Sequence, residues 1–219
     1  MKITKHAQSC FFVETLHEKV LIDAGNFVFE NEGMKIEDFT GTTIMVFTHE
    51  HRDHFDIERV VEIIKRNNPR VLATRAVAEK LKDFSKVEIV SAEYKQKFSD
   101  VTVEGFLSKH GPLPSGDTVP EVSGIVLDDG STRFYAPGDT VSLDQKSNAN
   151  IVATPFDGVV VMDINSAKSE LLKLMPRIAI PIHYDNPAYP ADVSDFEKAM
   201  EGSGIDVRIL KWGESFETK

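Results

Sequence analysis

The sequence predicts a mixed α+β fold, and two observations support this prediction. Short runs rich in Val, Ile, Phe and Thr dominate the first half of the chain, as in SCFFVET, KVLIDAG and TTIMVFT. In the final third such runs alternate with helical segments: NIVAT, 166–175, RIAIPIH, 193–201 and DVRIL. Strands therefore come first and strand–helix units follow, an order that favours the α+β class.

The middle of the chain supplies the remaining elements. From Asp56 the apolar spacing changes, and DIERVVEIIKRNN places apolar side chains on one face with charges opposite, which predicts a helix capped by Asp56. Strand-like RVLAT, a short helix over 75–82, KVEIV and VTVEGFL come next. The segment SGIVLDDGSTRFYAPGD predicts a hairpin that turns at 128–131.

Length and composition predict a single globular domain over residues 1–219. A chain of 219 residues can bury about 70% of its unfolded surface. Hydrophobic residues make up 41% and charged residues 27%, as in ordinary globular proteins. The sequence shows no repeat, low-complexity tract or linker that would mark a domain boundary.

Charge and cysteine content exclude several classes of protein. The net charge of −10 argues against a broad nucleic-acid surface, which needs many Lys and Arg side chains on phosphates, but it leaves a small local site open. The N-terminus lacks the apolar run of a signal peptide, and no segment approaches the about 20 apolar residues of a membrane span. Cys10 is the only cysteine, which excludes an internal disulfide. We therefore expect a cytoplasmic protein without a membrane partner.

The segment VFTHEHRDHFD, residues 46–56, concentrates three histidines and two aspartates after an apolar run. Side chains packed this closely disfavour one another's charged forms unless a cation lies between them. In an extended segment His49 and His51 face the same way, while Asp53 and His54, beyond a bend, can address a second point. This arrangement suits two metal ions. A solvated loop that caps a helix is the alternative reading, and it is the more common one for isolated histidines.

Further metal-ligand candidates occur where predicted strands end. His110 follows VTVEGFLSK, His183 ends RIAIPIH, and Asp139 follows FYAPG. Each of them alone would more often be a surface loop residue. Their shared position at strand ends is what a site on the rim of a sheet requires.

These motifs, in this order, resemble the metallo-β-lactamase superfamily of binuclear hydrolases. The resemblance rests on THEHRDH, the later His110, PGDT and PIH, and it spans essentially the whole chain. The opening HAQSCFFVET with VLIDAG, and the closing IPIHYDNP, further resemble a branch of small metal-dependent hydrolases related to ascorbate-6-phosphate lactonase. The fold that this implies is a four-layer αββα sandwich, with two mixed β-sheets face to face and helices on the outer faces.

The resemblance also implies two divalent metal ions held by histidines and aspartates. It assigns to the first ion His49, His51 and His110, to the second ion Asp53, His54 and His183, and to both, as a bridge, Asp139. Zinc is the expected metal because it suits neutral imidazoles and carboxylates, and manganese and iron are the alternatives. Some members that hold redox iron have an acidic residue in place of His51, so hydrolysis is favoured over oxygen chemistry.

The implied activity is hydrolysis of a small, anionic ester, lactone or phosphoester. Two cations that share a water lower its pKa toward neutrality, and Asp53 would orient the resulting nucleophile as the catalytic carboxylate. Two alternatives stay open: a phosphodiesterase or nuclease of the same fold, and a non-catalytic metal- or ligand-binding module. A local groove of Lys and Arg beside the site would indicate the nuclease, whereas loss of ligands would indicate the binding module.

Three further residues are candidates for contacting substrate or supporting a ligand. Asp23 ends the strand of LIDAG and can hydrogen-bond a ligand histidine. His6 lies in the N-terminal motif, where a core histidine with a satisfied hydrogen bond is the alternative. Tyr184 directly follows His183.

Three long loops are expected to wall the pocket, namely 24–41, 111–121 and 184–190. The first carries Phe27, Phe29 and Phe39, which would form either a lid or a subunit contact in a homo-oligomer.

Overall fold

The computed structural model describes residues 1–218, and within them two seven-stranded mixed sheets pack face to face. The strands are β1 (Lys2–Lys5), β2 (Phe11–Glu14), β3 (Lys19–Ile22), β4 (Ile44–Phe47), β5 (Arg70–Ala73), β6 (Val87–Ile89), β7 (Lys95–Phe98), β8 (Val101–Leu107), β9 (Ser123–Asp128), β10 (Arg133–Ala136), β11 (Ile151–Pro155), β12 (Ile178–Ile182), β13 (Asp206–Val207) and β14 (Ser215–Glu217). The α-helices are α1 (Asn26–Glu30), α2 (Ile57–Asn67), α3 (Arg75–Leu81), α4 (Ile164–Leu174) and α5 (Val193–Met200). Short 3-10 helices cover Ile36–Phe39 and Gln145–Ser147.

Each sheet is antiparallel on one side and parallel on the other. The first has the order β14-β1-β2-β3-β4-β5-β6 and the second β13-β12-β11-β10-β9-β8-β7. In the second sheet β9 is antiparallel to both β8 and β10, while β10, β11 and β12 are parallel. Strands β8, β10, β11 and β12 therefore run in one direction, and the segments that follow them emerge at the same edge.

The strands show period-two alternation between two kinds of environment. In β3, Val20 and Ile22 point into the core between the sheets, while Leu21 packs outward beneath α2 and α3. In β11, Ile151 faces the same inner core and Val152 faces α4 and α5. Three apolar layers result: one lies between the two sheets, and one lies between each sheet and the helices on its outer face. The predicted αββα sandwich is confirmed.

Helix boundaries follow capping residues more closely than the apolar pattern indicated. Helix α2 begins after Asp56, whose side chain accepts from Arg59 N at 3.4 Å, as predicted. Helix α4 begins at Ile164, before the predicted residue 166, because the Asp163 side chain accepts from Ser166 N at 2.7 Å.

The loop over 24–41 is more regular than predicted, since it contains α1 and the first 3-10 helix. A Cβ atom added at Gly25 would lie 1.8 Å from the backbone oxygen of Asp53, so only glycine lets this segment pack so closely against the histidine-rich segment. No helix in residues 1–218 combines the length and apolarity needed to cross a bilayer.

Candidate metal centre

All seven predicted ligand residues meet at one edge of the sandwich. Metal-ligating atoms of His49, His51, His110 and Asp139 lie within 4.8 Å of one another, and the same holds for Asp53, His54, Asp139 and His183. Asp139 belongs to both groups. The structure thus provides two adjoining sets of donors with one shared carboxylate.

Strand direction explains why residues far apart in sequence converge here. The segment 48–54 follows β4 in the first sheet, and it turns where His54 N donates to the His51 carbonyl at 2.9 Å. The residues that follow the co-directional strands of the second sheet are His110 after β8, Asp139 after β10 and His183 after β12. Gly138, at φ 67°, makes the left-handed turn just before Asp139, and a Cβ atom there would lie 2.8 Å from the Thr48 side chain, so the turn requires glycine.

The Nδ1 atoms of His49, His54 and His110 hydrogen-bond to neighbouring acceptors. His54 Nδ1 donates to Asp23 Oδ2 at 2.8 Å, and His110 Nδ1 to the Gly111 carbonyl at 2.7 Å. The Thr48 hydroxyl donates to Asp23 at 2.6 Å, which leaves its oxygen to accept from His49 Nδ1 at 3.1 Å. In a neutral imidazole held this way, Nε2 carries the free lone pair, as metal-ligating histidines require.

The Nε2 atoms, in contrast, have no hydrogen-bond partner among residues 1–218. This holds for His49, His54, His110 and His183, and Asp139 Oδ1 is also unpartnered, although all these atoms are buried. Nε2 of His54 lies 3.0 Å from Asp139 Oδ1, yet the angles are not those of a hydrogen bond. Buried polar atoms without partners are rare because they are costly. Their convergence fits donors arranged around divalent cations.

Charges within the cluster shift the pKa values of neighbouring histidines in opposite directions. Burial, reinforced by His54, holds the pKa of His49 well below its usual value. Burial also acts against protonation of His54, but the carboxylates of Asp139 and Asp23 outweigh it and raise the pKa of His54 well above the ordinary range. The same competition, led by Asp139, raises the pKa of His183 to about 10. Without metal, the surrounding carboxylates therefore favour the protonated forms of His54 and His183.

A cleft of about 340 Å³ opens over the cluster. Besides five of the ligand residues, it is lined by Asn26, Phe27, Arg52, Leu113, Val160, Asn186 and Tyr189. Each of the three predicted wall loops contributes to this lining. The Arg52 guanidinium is exposed and pairs with Glu30 at 2.6 Å. Apart from Arg52 and the ligand residues, the lining is apolar or aromatic, except for the two amides of Asn26 and Asn186.

The three supporting candidates occupy different places. Asp23 hydrogen-bonds His54 and Thr48 at the base of the cluster. His6 does not line the cleft; its Nδ1 contacts Glu32 Oε1 at 2.8 Å and its ring packs edge-on against Phe39. Tyr184 stacks on a buried phenylalanine in a separate shallow hollow.

The phenylalanines of the loop over 24–41 lie in three different places rather than on one shared surface. Phe27 lines the cleft, and Phe39 is fully buried in the core beneath α2. Phe29 lines a larger hollow of about 700 Å³ beside α2, which contains none of the cluster residues.

Sequence reasoning missed three residues that contact the cluster. Asp157 Oδ2 lies 3.0 Å from His183 Nδ1, and its position after β11 is the same strand-end signal that identified the ligands. Gln8 Nε2 donates to Asp53 Oδ2 at 2.8 Å, and Asn186 Nδ2 approaches the same oxygen at 3.5 Å. Both amides lie in the segments that carry the finer resemblance, HAQSCFFVET and IPIHYDNP, but no residue spacing there marks either of them as a contact of Asp53.

The fold and the cluster define a class of protein, and sequence comparison identifies the same class. Residues 2–183 match the family described as "Beta-lactamase superfamily domain", and the chain belongs to the metallo-β-lactamase superfamily. It is 32% identical over 246 residues to a UPF0173 metal-dependent hydrolase of Archaeoglobus fulgidus, with 99% of each chain covered. It is 31% identical over 234 residues to one of Staphylococcus carnosus, with 98% of each covered.

A solved structure shares the fold. Igni18, described as a metallo hydrolase from Ignicoccus hospitalis, superposes with a TM-score of 0.83 at 22% identity, covering 100% of this chain and 99% of that one. The protein is thus a metal-dependent hydrolase of this superfamily, with histidine and aspartate side chains grouped to bind metal.

Proposed function

We propose that the protein is a binuclear zinc hydrolase of a small ester, lactone or phosphoester. The observation that supports two ions is the pair of donor groups sharing Asp139. Four imidazoles with unpartnered Nε2 atoms, together with carboxylates, are donors that suit zinc, and manganese or iron can use the same set. When bound, the ions would supply Lewis acidity and a nucleophile formed from water near neutral pH.

Asp53 is the carboxylate best placed to act on the reacting water. It lines the cleft, and its side chain is 18% exposed, whereas Asp139 is buried beneath it at 2%. An amide hydrogen bond from Gln8 holds one of its oxygens. We assign Asp53 to orient the nucleophile and to take its proton, and Asp139 to hold both ions.

The cleft wall supports a substrate with few charges of its own. Arg52 is the one Lys or Arg that lines the cleft within the described residues, and Glu30 already pairs with it. Recognition of phosphate groups usually relies on several Arg or Lys donors. Leu113, Val160 and Tyr189 instead offer apolar surface that excludes water from a small acyl group. Carboxylic esters and lactones, which develop negative charge only during the reaction, fit this wall better than phosphoesters do.

A substrate panel tests this proposal directly. Metal-depleted protein is reloaded with zinc, manganese or iron, its metal content is measured, and turnover is assayed on nitrophenyl carboxylic esters, aliphatic lactones, nitrophenyl phosphate and bis-nitrophenyl phosphate. We expect the highest kcat/KM on an ester or lactone. Asp53→Asn should lose this turnover, and Asp163→Asn, which alters a helix cap away from the site, should keep it.

The alternatives give different results in the same panel. Preferred cleavage of the phosphodiester would favour the phosphodiesterase or nuclease. Full metal occupancy without turnover on any substrate would favour the non-catalytic binding module.

A further inference from the structure

We propose that Gln8 is a positioning residue that holds Asp53 in place for the second metal ion and the nucleophile. This inference rests on the proposed function, because it concerns how Asp53 is prepared for its role. Gln8 lies between β1 and β2, outside both groups of metal-ligating side chains.

The contact between the two side chains is direct and buried on the Gln8 side. Gln8 is 0% exposed, and its Nε2 lies 2.8 Å from Asp53 Oδ2. An amide N–H donor fixes the direction of a carboxylate oxygen, and it brings no positive charge that would compete with a cation. Gln8 therefore fixes the direction of Asp53 while leaving its full negative charge to the site. A lysine or arginine in the same place would neutralise that charge.

The backbone of Gln8 is anchored from a second side. Its N–H donates to Asp185 Oδ2 at 3.2 Å. The same oxygen accepts from Trp212 Nε1 at 2.6 Å and lies 3.7 Å from the Nζ of buried Lys5. Segments from both ends of the chain thus meet at Asp185 and fix the point from which the Gln8 side chain reaches Asp53.

Two features of Gln8 are unfavourable for the stability of the fold. Its φ of 59° lies in the left-handed region, which glycine or asparagine would accept more readily. Its Oε1 is buried without a hydrogen-bond partner among residues 1–218. The strained backbone of Gln8, together with its contact to Asp53, indicates a role in the site rather than in stability.

The position of Asn186 distinguishes the two amides. Its Nδ2 lies 3.5 Å from Asp53 Oδ2, at the long limit of a hydrogen bond, and it lines the open cleft. Gln8 lies 0.7 Å closer to the same oxygen and is out of solvent. Asp53 is therefore held mainly by Gln8.

The test compares Gln8→Met, which keeps the length of the side chain and removes the amide, with the parent. Metal-free protein is titrated with Zn²⁺ against a chromophoric chelator to give the affinity of each ion, and the melting temperature is measured with metal removed. We expect the affinity for the second ion to fall about 10–100-fold, as when a residue that orients a metal ligand is removed. The first ion should bind as in the parent, and the metal-free melting temperature should stay equal or rise.

Gln145→Met is the matched control. Gln145 Oε1 is likewise buried without a partner, and its Nε2 contacts Leu143 and Glu170 rather than the cluster. This variant should keep both metal affinities. If Gln8→Met does not fold, Gln8→Gly accepts the backbone conformation without strain and should show the same loss for the second ion.

Two results would overturn the role of Gln8 alone. One is parental affinity for both ions in the Gln8 variant, and a lower metal-free melting temperature beside it would indicate a purely structural residue. The other is an equal loss of affinity for both ions, which would show no specific link to Asp53. Failure of the parent to bind two ions would overturn the proposed function, and the role of Gln8 with it.

Discussion

Replacing Asp23 by asparagine should weaken both the metal-free fold and the metal centre. The Asp23 carboxylate accepts three hydrogen bonds, from Thr48 N at 2.8 Å, the Thr48 hydroxyl at 2.6 Å and His54 Nδ1 at 2.8 Å. An asparagine amide has only one oxygen. Whichever way the amide is turned, its NH₂ group therefore faces at least one of these donors and leaves that donor without an acceptor. Asp23 has a φ of 49°, which asparagine tolerates well, so the substitution adds little backbone strain.

The expected magnitude follows from these contacts. One charged hydrogen bond is worth about 1.5–3 kcal/mol, and a buried donor left without a partner costs about 1–3 kcal/mol. We therefore expect Asp23→Asn to lose about 2.5–6 kcal/mol of the free energy of unfolding in the metal-free protein, measured by urea denaturation in the presence of chelator. Because His54 also loses its orienting partner, affinity for the second ion should fall about 10–100-fold.

Asp163→Asn is the control for the chemical change itself. Asp163 caps α4 and contacts none of the cluster residues, and asparagine is nearly as good a helix cap as aspartate. This variant should keep both stability and metal affinity. Parental stability and parental affinity in Asp23→Asn would refute the view that the Asp23 carboxylate holds the ligand in place.

Three further predictions concern the ions themselves. Reconstituted protein should contain about two divalent ions per chain and melt at a lower temperature after chelation, and an unchanged melt with metal removal verified would contradict this. Asp139→Ala should lose both ions. Asp53→Asn should keep at least the first ion, while its turnover falls on the order of a hundredfold. Metal content and hydrolysis rate measured on the same preparations test both variants. Metal affinity should weaken as pH falls, because the pKa values of His54 and His183 are raised and ions must displace protons from them. Calorimetry in buffers of different ionisation enthalpy should detect the released protons, and a pH-independent affinity would contradict this prediction.

The convergence of the candidate ligand residues could be predicted because their sequence signal is local and repeated. His49 and His51 follow a buried strand at period two, and His110, Asp139 and His183 each follow a further strand. Co-directional strands end at one edge, so strand-end position in the sequence already implies proximity in space. The same rule would have identified Asp157, which follows β11 in the same way.

Edge strands and amide contacts could not be predicted from the sequence. Strand β7, with the sequence KQKF, pairs on one side only and is mostly exposed, so it lacks the apolar alternation that marks a buried strand. The predicted strand DVRIL is regular only over Asp206–Val207. Gln8 and Asp185 meet although Gln8 precedes β2 in the first sheet and Asp185 follows β12 in the second. That encounter depends on tertiary structure and leaves no local pattern.

The centre draws its donors from both layers of the sandwich. His49, His51, Asp53 and His54 extend from the first sheet, while His110, Asp139 and His183 extend from the second. An ion bound between them would therefore link the two stacked sheets at one edge of the sandwich. Because an ion held here would take ligands from both layers, the rate at which metal exchanges with solvent should report how often the two sets of ligands move apart.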